Sequence, residues 1–222
     1  MTSYPKLVGV AILLTTLALL TVTAAAGQEW WHIEHSQQVV GNPWTTTRFM
    51  QLYDDGFLYQ GLEPSPSYTK YYELTSSEPY NLFNNEGTLR ILWIAAGLIL
   101  ILSLLWDMKL VGLLAGISVV VLGALSIAVF AFGIDDAVTG SDLGTLMGVQ
   151  HVGFFGTETY EELVGTDTVA HRVSYTPGVG FWLTVIALSF QLIAAAIRTY
   201  MARESLIVAR ASRDMGKASE KD

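Results

Sequence analysis

Four apolar stretches, residues 7–26, 91–106, 110–132 and 179–197, constrain this chain more than any other feature. A helix rises about 1.5 Å per residue and a bilayer's hydrocarbon core is roughly 30 Å thick, so about 20 apolar residues make one crossing. All four stretches meet that length, the second when it starts near Thr88. With 51% hydrophobic and only 14% charged residues, the chain has too little polar surface to wrap a soluble globule of ordinary make-up. A lipid bilayer is therefore the first expected partner. Nucleic acid is not expected, since acidic residues outnumber basic ones 20 to 12.

The charges are unevenly placed, and their placement orients the chain. Lys6 precedes the first span, Lys109 sits in the link between the second and third, and Arg198, Arg203, Arg210, Arg213, Lys217 and Lys221 follow the fourth. The two long connections instead carry Glu29, Glu34, Asp54, Asp55, Glu63, Glu73, Glu78 and Glu86, then Asp135, Asp136, Asp142, Glu158, Glu161, Glu162 and Asp167. The positive-inside bias predicts that both termini are cytoplasmic and both long loops exported, and the expected location is the plasma membrane. An even number of spans requires the same shared side. The expected layout is a first span with its short lead at 1–26, a β-rich exported loop at 27–89 and a hairpin of the second and third spans at 90–133. A second exported loop at 134–178, a fourth span at 179–198 and a basic helical tail at 199–222 complete it.

The first span ends in Thr23-Ala24-Ala25-Ala26-Gly27, which also suits a cleavable secretory signal. Its apolar run exceeds the usual signal core, and it is read as a retained span. The chain has no cysteine, so the exported loops must be stabilised by sheet hydrogen bonds, packing or neighbouring subunits rather than disulfides. Asn42 is followed by Pro43, and Asn81, Asn84 and Asn85 lack a hydroxyl residue two places on, so no N-glycosylation acceptor occurs. A prokaryotic origin is the simpler expectation.

In the first loop, Gln51-Leu52-Tyr53 and Phe57-Leu58-Tyr59-Gln60 flank Asp54-Asp55-Gly56, a hairpin signal, and Tyr68, Tyr71 and Tyr72 suggest a further strand after Pro64-Ser65-Pro66. Trp30 and Trp31 read as an interfacial aromatic belt. Trp44, Tyr53, Phe57 and Tyr59, around the hairpin, are the candidate partner-binding residues. In the second loop, 149–155 and 168–175 read as strands separated by the acidic run Glu158 to Glu162. The two loops are expected to join in one extracellular sheet.

Within the spans, Gly112, Gly116 and Gly123 offer a close-packing face, for bundle packing first and a homo-oligomer seam second. Gln191, the one amide inside a span, is expected to make an interhelical hydrogen bond. No ionisable residue lies inside the four stretches, which argues against transport. No Gly-rich phosphate loop, Gly-x-Ser-x-Gly or His-Glu-x-x-His occurs. The one chemical constellation is the histidines: His32, His35, His151 and His171 all lie in the loops, and His32-Ile33-Glu34-His35 would put two imidazoles on one face of a helix. Imidazole suits zinc or copper, but histidines excluded from the spans must in any case fall in the loops.

Four spans, both ends inside, a long β-forming first loop, a short inner turn, a second loop and a basic tail together resemble the claudin and PMP22-like tetraspan group. Trp30 or Trp31 stands where that group has a loop tryptophan, Gly56-Phe57-Leu58 stands near its Gly-Leu-Trp, and Arg90 matches the arginine that opens its second span. The group's cysteine pair is absent here. The resemblance implies an adhesion or assembly role through the exported loops.

The expected fold is thus an all-α bundle of four transmembrane helices with a small extracellular β-sheet made by the two exported loops. The expected function is non-enzymatic: adhesion, assembly or accessory-subunit contacts with other membrane subunits or with itself, and no cofactor. The rival expectation is a metal-binding accessory subunit of a larger membrane enzyme, with His32, His35, His151 and His171 as ligands.

Overall fold

The computed structural model describes residues 5–42, 45–61 and 65–219, with side chains as far as residue 204 and at 207. Four helices are long and apolar enough to cross a membrane: α1 (Pro5–Ala25), α2 (Glu78–Leu105), α3 (Lys109–Thr139) and α5 (Val179–Ser219), the last over Val179–Glu204. A short α4 (Asp142–Met147) lies between α3 and α5. Apolar side chains cover the outside of the long helices; Leu13, Leu20, Ile91, Leu114 and Phe132 are exposed, Phe132 at 85%. Apolar area left in water forfeits roughly 25 cal/mol per Å², so these faces require lipid as their solvent. The chain is a multi-pass membrane protein.

The helices overrun the boundaries that hydropathy alone suggests. The α2 helix begins at Glu78, where Ser76 Oγ accepts from the first-turn Glu78 N–H at 3.3 Å, so the end of the first loop is helical. The α3 helix runs on to Thr139. Ser141 caps α4 by accepting from Leu143 N–H at 3.2 Å, and Gly148 closes it in the left-handed region at φ 69°. The last span continues as helix through the tail to Ser219, as the run of helix formers after Arg198 predicts.

Two compact units divide the chain. The first comprises residues 1–22, 90–124 and 186–222, and its described residues are helical except for the link at 106–108. Its core holds Ala11, Ala18, Val22, Trp93, Ala96, Leu100, Leu104, Ala115, Val119 and Ala187. Small residues let the backbones approach. A Cβ at Gly123 would lie 2.8 Å from the Trp93 ring and 2.9 Å from Leu188, and one at Gly112 would run into the Arg198 guanidinium and Ser103. At Gly116 a Cβ would make ordinary contact with Ala195 at 3.6 Å. The three glycines therefore pack within the chain's own bundle. Gln191 is fully buried, yet neither atom of its amide has a hydrogen-bond partner, so the expected interhelical bond is not formed.

The second unit, residues 23–89 and 125–185, holds the sheet. Its strands are β1 (Trp31–Val39), β2 (Thr45–Leu52), β3 (Gly56–Gln60), β4 (Ser67–Lys70), β5 (Gly156–Val164) and β6 (Asp167–Pro177). They form one antiparallel sheet in the order β4-β3-β2-β1-β6-β5. Both loops contribute, as expected, and β1 pairs with β6 from Trp31↔Pro177 to Val39↔Val169. The Asp54–Gly56 hairpin forms in the predicted place, with Leu52 opposite Phe57 and Tyr53 N–H donating to Gly56 O at 2.9 Å. From the turn before β3, Asp55 binds Tyr68 and Lys70 of β4. The Lys70 bond, and then the Tyr68 bond, hold its carboxyl below the usual range.

Several sequence expectations are corrected here. Trp30 and Trp31 are not a lipid belt: both are wholly buried, Trp30 against Phe130 and Trp31 bonding Phe154 O through Nε1 at 3.0 Å. The run 149–155 is not a strand; it crosses beside α3, where Asp135 accepts Val152 N–H at 2.9 Å. The acidic run belongs to β5 itself, because pairing with β6 satisfies its backbone whatever its side chains are.

Packing predicts a graded response. Gly112→Ala and Gly123→Ala should each destabilise the protein by about 1–3 kcal/mol through overpacking, while Gly116→Ala should be nearly neutral. Thermal unfolding in detergent followed by circular dichroism tests this, and equal losses at all three positions would refute it.

Candidate functional site

Strand β1 alternates apolar and polar residues, so Trp31, Ile33 and His35 face the buried side and His32 and Glu34 the other. The helical reading of His32 to His35 is thereby corrected: in a strand, residues three apart lie on opposite faces. Cross-strand register then assembles a cluster on the face of the sheet that His35 occupies, running from the buried His35 out to the exposed β5. Tyr160 of β5 lies directly opposite His171 of β6, and Glu162 and His35 lie on diagonals from it.

The contacts are specific. His35 Nδ1 lies 2.6 Å from Met147 O, and His35 Nε2 lies 3.0 Å from His171 Nδ1. A carbonyl oxygen only accepts, so His35 carries its proton on Nδ1 and offers the Nε2 lone pair; His171 must then donate from Nδ1. His171 Nε2 is left facing Glu162 Oε2 at 3.6 Å, buried and without a hydrogen-bond partner. Tyr160 stacks on the His171 ring, centroids 4.6 Å apart and 6° from parallel.

The other end of this chain is fixed by α4, whose last carbonyls have no partner within the helix. Met147 O takes His35, and Leu146 O takes Arg48 at 3.3 Å and Tyr59 at 3.1 Å. Side chains from β1, β2 and β3 thus cap one helix turn. Burial of His35 pushes its pKa down, as do the nearby His171 and Arg48, against the opposing pull of the Met147 carbonyl.

Beside β5 lies a cleft of about 370 Å³ whose walls include Glu158, Tyr160, Glu162, His151, Val173 and Tyr175. The Tyr175 hydroxyl lies 3.3 Å from both His151 O and Glu158 Oε2. Burial, then the Glu158 charge, raises its pKa.

The remaining sequence-picked residues fall elsewhere. His32 binds Glu29 at 2.7 Å, and that bond raises its pKa. His151 is exposed, 3.9 Å from Asp135. The structure brings together His35 and His171 alone of the four histidines, and among the described residues no three His, Cys, Asp or Glu side chains converge on one point. Phe57, at 2% exposed, stacks on Tyr71 inside the core, so it is not a surface residue; Tyr59 is half-buried and holds α4. Tyr53 is half-buried, its hydroxyl 3.3 Å from Gln51 Oε1. Trp44 lies outside the described residues.

Sequence reasoning missed Tyr160, Glu162 and the Met147 carbonyl. The signal for the first two was present: no Lys or Arg occurs between Lys109 and Arg172, so the carboxylates of that segment have no local counter-charge. It also missed Glu86, wholly buried within α2 and accepting from Ser126 Oγ at 2.7 Å, because the helix starts earlier than hydropathy indicates. No protein-family model matches the chain, and no curated protein matches it.

The dyad makes stability depend on pH. With its folded pKa depressed below the ordinary 6.5, His35 contributes stability that is complete above 6.5 and lost as pH falls below it. His32, raised, contributes in the opposite sense: fully below 6.5, and lost as pH rises through its folded value. His35→Asn keeps a donor toward Met147 and removes Nε2, so it should cost about 1–2 kcal/mol at neutral to alkaline pH and flatten the acid-side loss. Thermal melts across the pH range check this; a steeper acid loss in the variant would count against the tautomer assignment.

Proposed function

We propose that this membrane protein is a non-enzymatic assembly or adhesion subunit that engages a partner protein through an exported sheet, with both termini cytoplasmic in a prokaryotic plasma membrane. The observation that carries this is β5. Eight of its nine residues are exposed, one side pairs with β6, and among the described residues no strand pairs with the other. Leu163, Val164 and, just before the strand, Phe155 are exposed apolar residues, Leu163 at 71%.

A long open edge of this kind is a template for another chain, and proteins ordinarily blunt such edges. The opposite edge is blunted: β4 has four residues and ends in Lys70. Orientation is supported by the basic residues Lys6, Lys109, Arg198 and Arg203 against the acidic loops.

Single cysteines at Ser67 and Thr157 should react with an impermeant maleimide on intact cells, and one at Ser219 should not; the reverse pattern would invert the topology. Leu163→Lys combined with Val164→Lys should release the 24.3 kDa chain from its native complex without lowering its melting temperature. An unchanged complex on native gels would sink the edge-strand reading.

A further inference from the structure

In the helical unit, the end where α2 passes into α3 holds a charge that the fold leaves unanswered. Arg198 follows directly on the apolar stretch 179–197, and the link between α2 and α3 interrupts the apolar stretches 91–106 and 110–132, so both belong at the border between hydrocarbon and headgroups. Arg198 is only 2% exposed. Its Nε and Nη2 are enclosed without a hydrogen-bond partner, and it forms no ion pair among the described residues; Nη1 is the one guanidinium nitrogen not shut in. A guanidinium does not shed its proton, so enclosing it without an anion is unfavourable.

The backbone supplies a second, independent observation. A Cβ on Gly112 would lie 2.7 Å from Arg198 Nη2, so the guanidinium occupies the place of that missing side chain. Cα–Cβ bonds tilt toward the N-terminus of a helix, which sets the guanidinium over the first turn of α3, opening at Lys109. Gly112 N–H takes the Met108 carbonyl at 2.8 Å, leaving the N–H groups of Lys109, Leu110 and Val111 as the free donors of that turn. Residues 105–110 are all exposed, so a ligand can reach them. The positive end of the helix dipole, the Lys109 ammonium and the Arg198 guanidinium thus share one end of α3. Asp107, in the link, acts on Arg198 through space but makes no ion pair with it.

We infer that this end of α3 seats the phosphate group of a membrane phospholipid, held by the free N–H groups of the first turn, the Arg198 guanidinium and the Lys109 ammonium. Free N–H groups and the dipole make a helix N-terminus a ready phosphate site, and a guanidinium adds charge-assisted donors in a planar fork. The bilayer is the source, because Trp106, Met108 and Leu110 at the same opening are exposed, Trp106 at 67% and Leu110 at 70%. A tryptophan among apolar side chains suits the headgroup boundary and not open water. Basic pockets between spans at this depth are the kind that hold lipid headgroups. Asp107 opposes the phosphate and so tunes its affinity.

The test titrates delipidated full-length protein in a neutral detergent and follows bound ligand by native mass spectrometry. The probes are dioleoylphosphatidylglycerol, dioleoylglycerol with the same chains and no phosphate, and inorganic phosphate. The phospholipid should bind about tenfold or more tightly than the diacylglycerol, and millimolar inorganic phosphate should not displace it. Arg198→Gln should remove most of that difference, and Lys109→Gln should weaken the phospholipid about threefold. Arg203→Gln, which removes an exposed charge farther along α5, should change it by no more than about twofold. Asp107→Asn, at a left-handed position (φ 51°) that asparagine accepts, should tighten the phospholipid about twofold or more, and it decides the matter should Arg198→Gln fail to fold. Equal binding of the two lipids, an equal loss from Arg203→Gln, or no tightening in Asp107→Asn would overturn the inference. Binding of inorganic phosphate in place of the phospholipid would overturn it in favour of a free-anion site.

Discussion

The pairing of β1 with β6 is the interaction on which the rest of the sheet-bearing unit depends. It joins strands from two segments separated by two long helices, over nine register positions from Trp31↔Pro177 to Val39↔Val169. Without it, β1 to β4 would be a four-stranded piece with β1 as a raw edge, and β5 and β6 would be an isolated hairpin, which is marginal in water at best. With no cysteine in the chain, backbone pairing and the aromatic core beneath it must hold the loops together. That core is continuous: Phe57 stacks on Tyr71, Tyr71 on Phe83, and Phe83, Phe154, Phe181 and Trp30 gather around Phe130.

The same pairing creates the polar cluster. His35 and His171 are 136 residues apart in sequence and 3.0 Å apart in space because β1 and β6 lie side by side in one register. A slip by one residue would turn one imidazole to the opposite face. The orientation of the dyad is set in turn by α4, whose capped C-terminus presents the Met147 carbonyl to His35 and so decides which nitrogen of each ring carries the proton. One short helix turn thereby makes His171 Nδ1 the donor of the pair.

The helical unit obeys a different constraint. Lipid gives no hydrophobic drive for helices to associate, so close approach at Gly112 and Gly123 supplies packing instead. Those glycines were legible as a packing face from their spacing. Their actual neighbours, Arg198, Ser103, Trp93 and Leu188, were not, since spacing shows that a face is smooth but not what lies against it.

The four spans, the hairpin at Asp54–Gly56 and the helical tail were determined by the sequence itself, because each rests on local composition: apolar length, turn chemistry and uninterrupted helix formers. The alternation in Trp31 to His35 was equally local, yet its strand signal was hidden by two tryptophans that suit an interface and two histidines that suit a helix. The tertiary structure alone decided that Trp30, Trp31 and Phe57 are core, that Tyr59 holds α4, and that the acidic run is an edge strand. It alone selected His35 and His171 from four histidines and set Glu162 and Tyr160 beside them. The physical reason is that these facts depend on register between strands far apart in the chain, and register is fixed by non-local burial and backbone pairing rather than by any residue's neighbours in sequence.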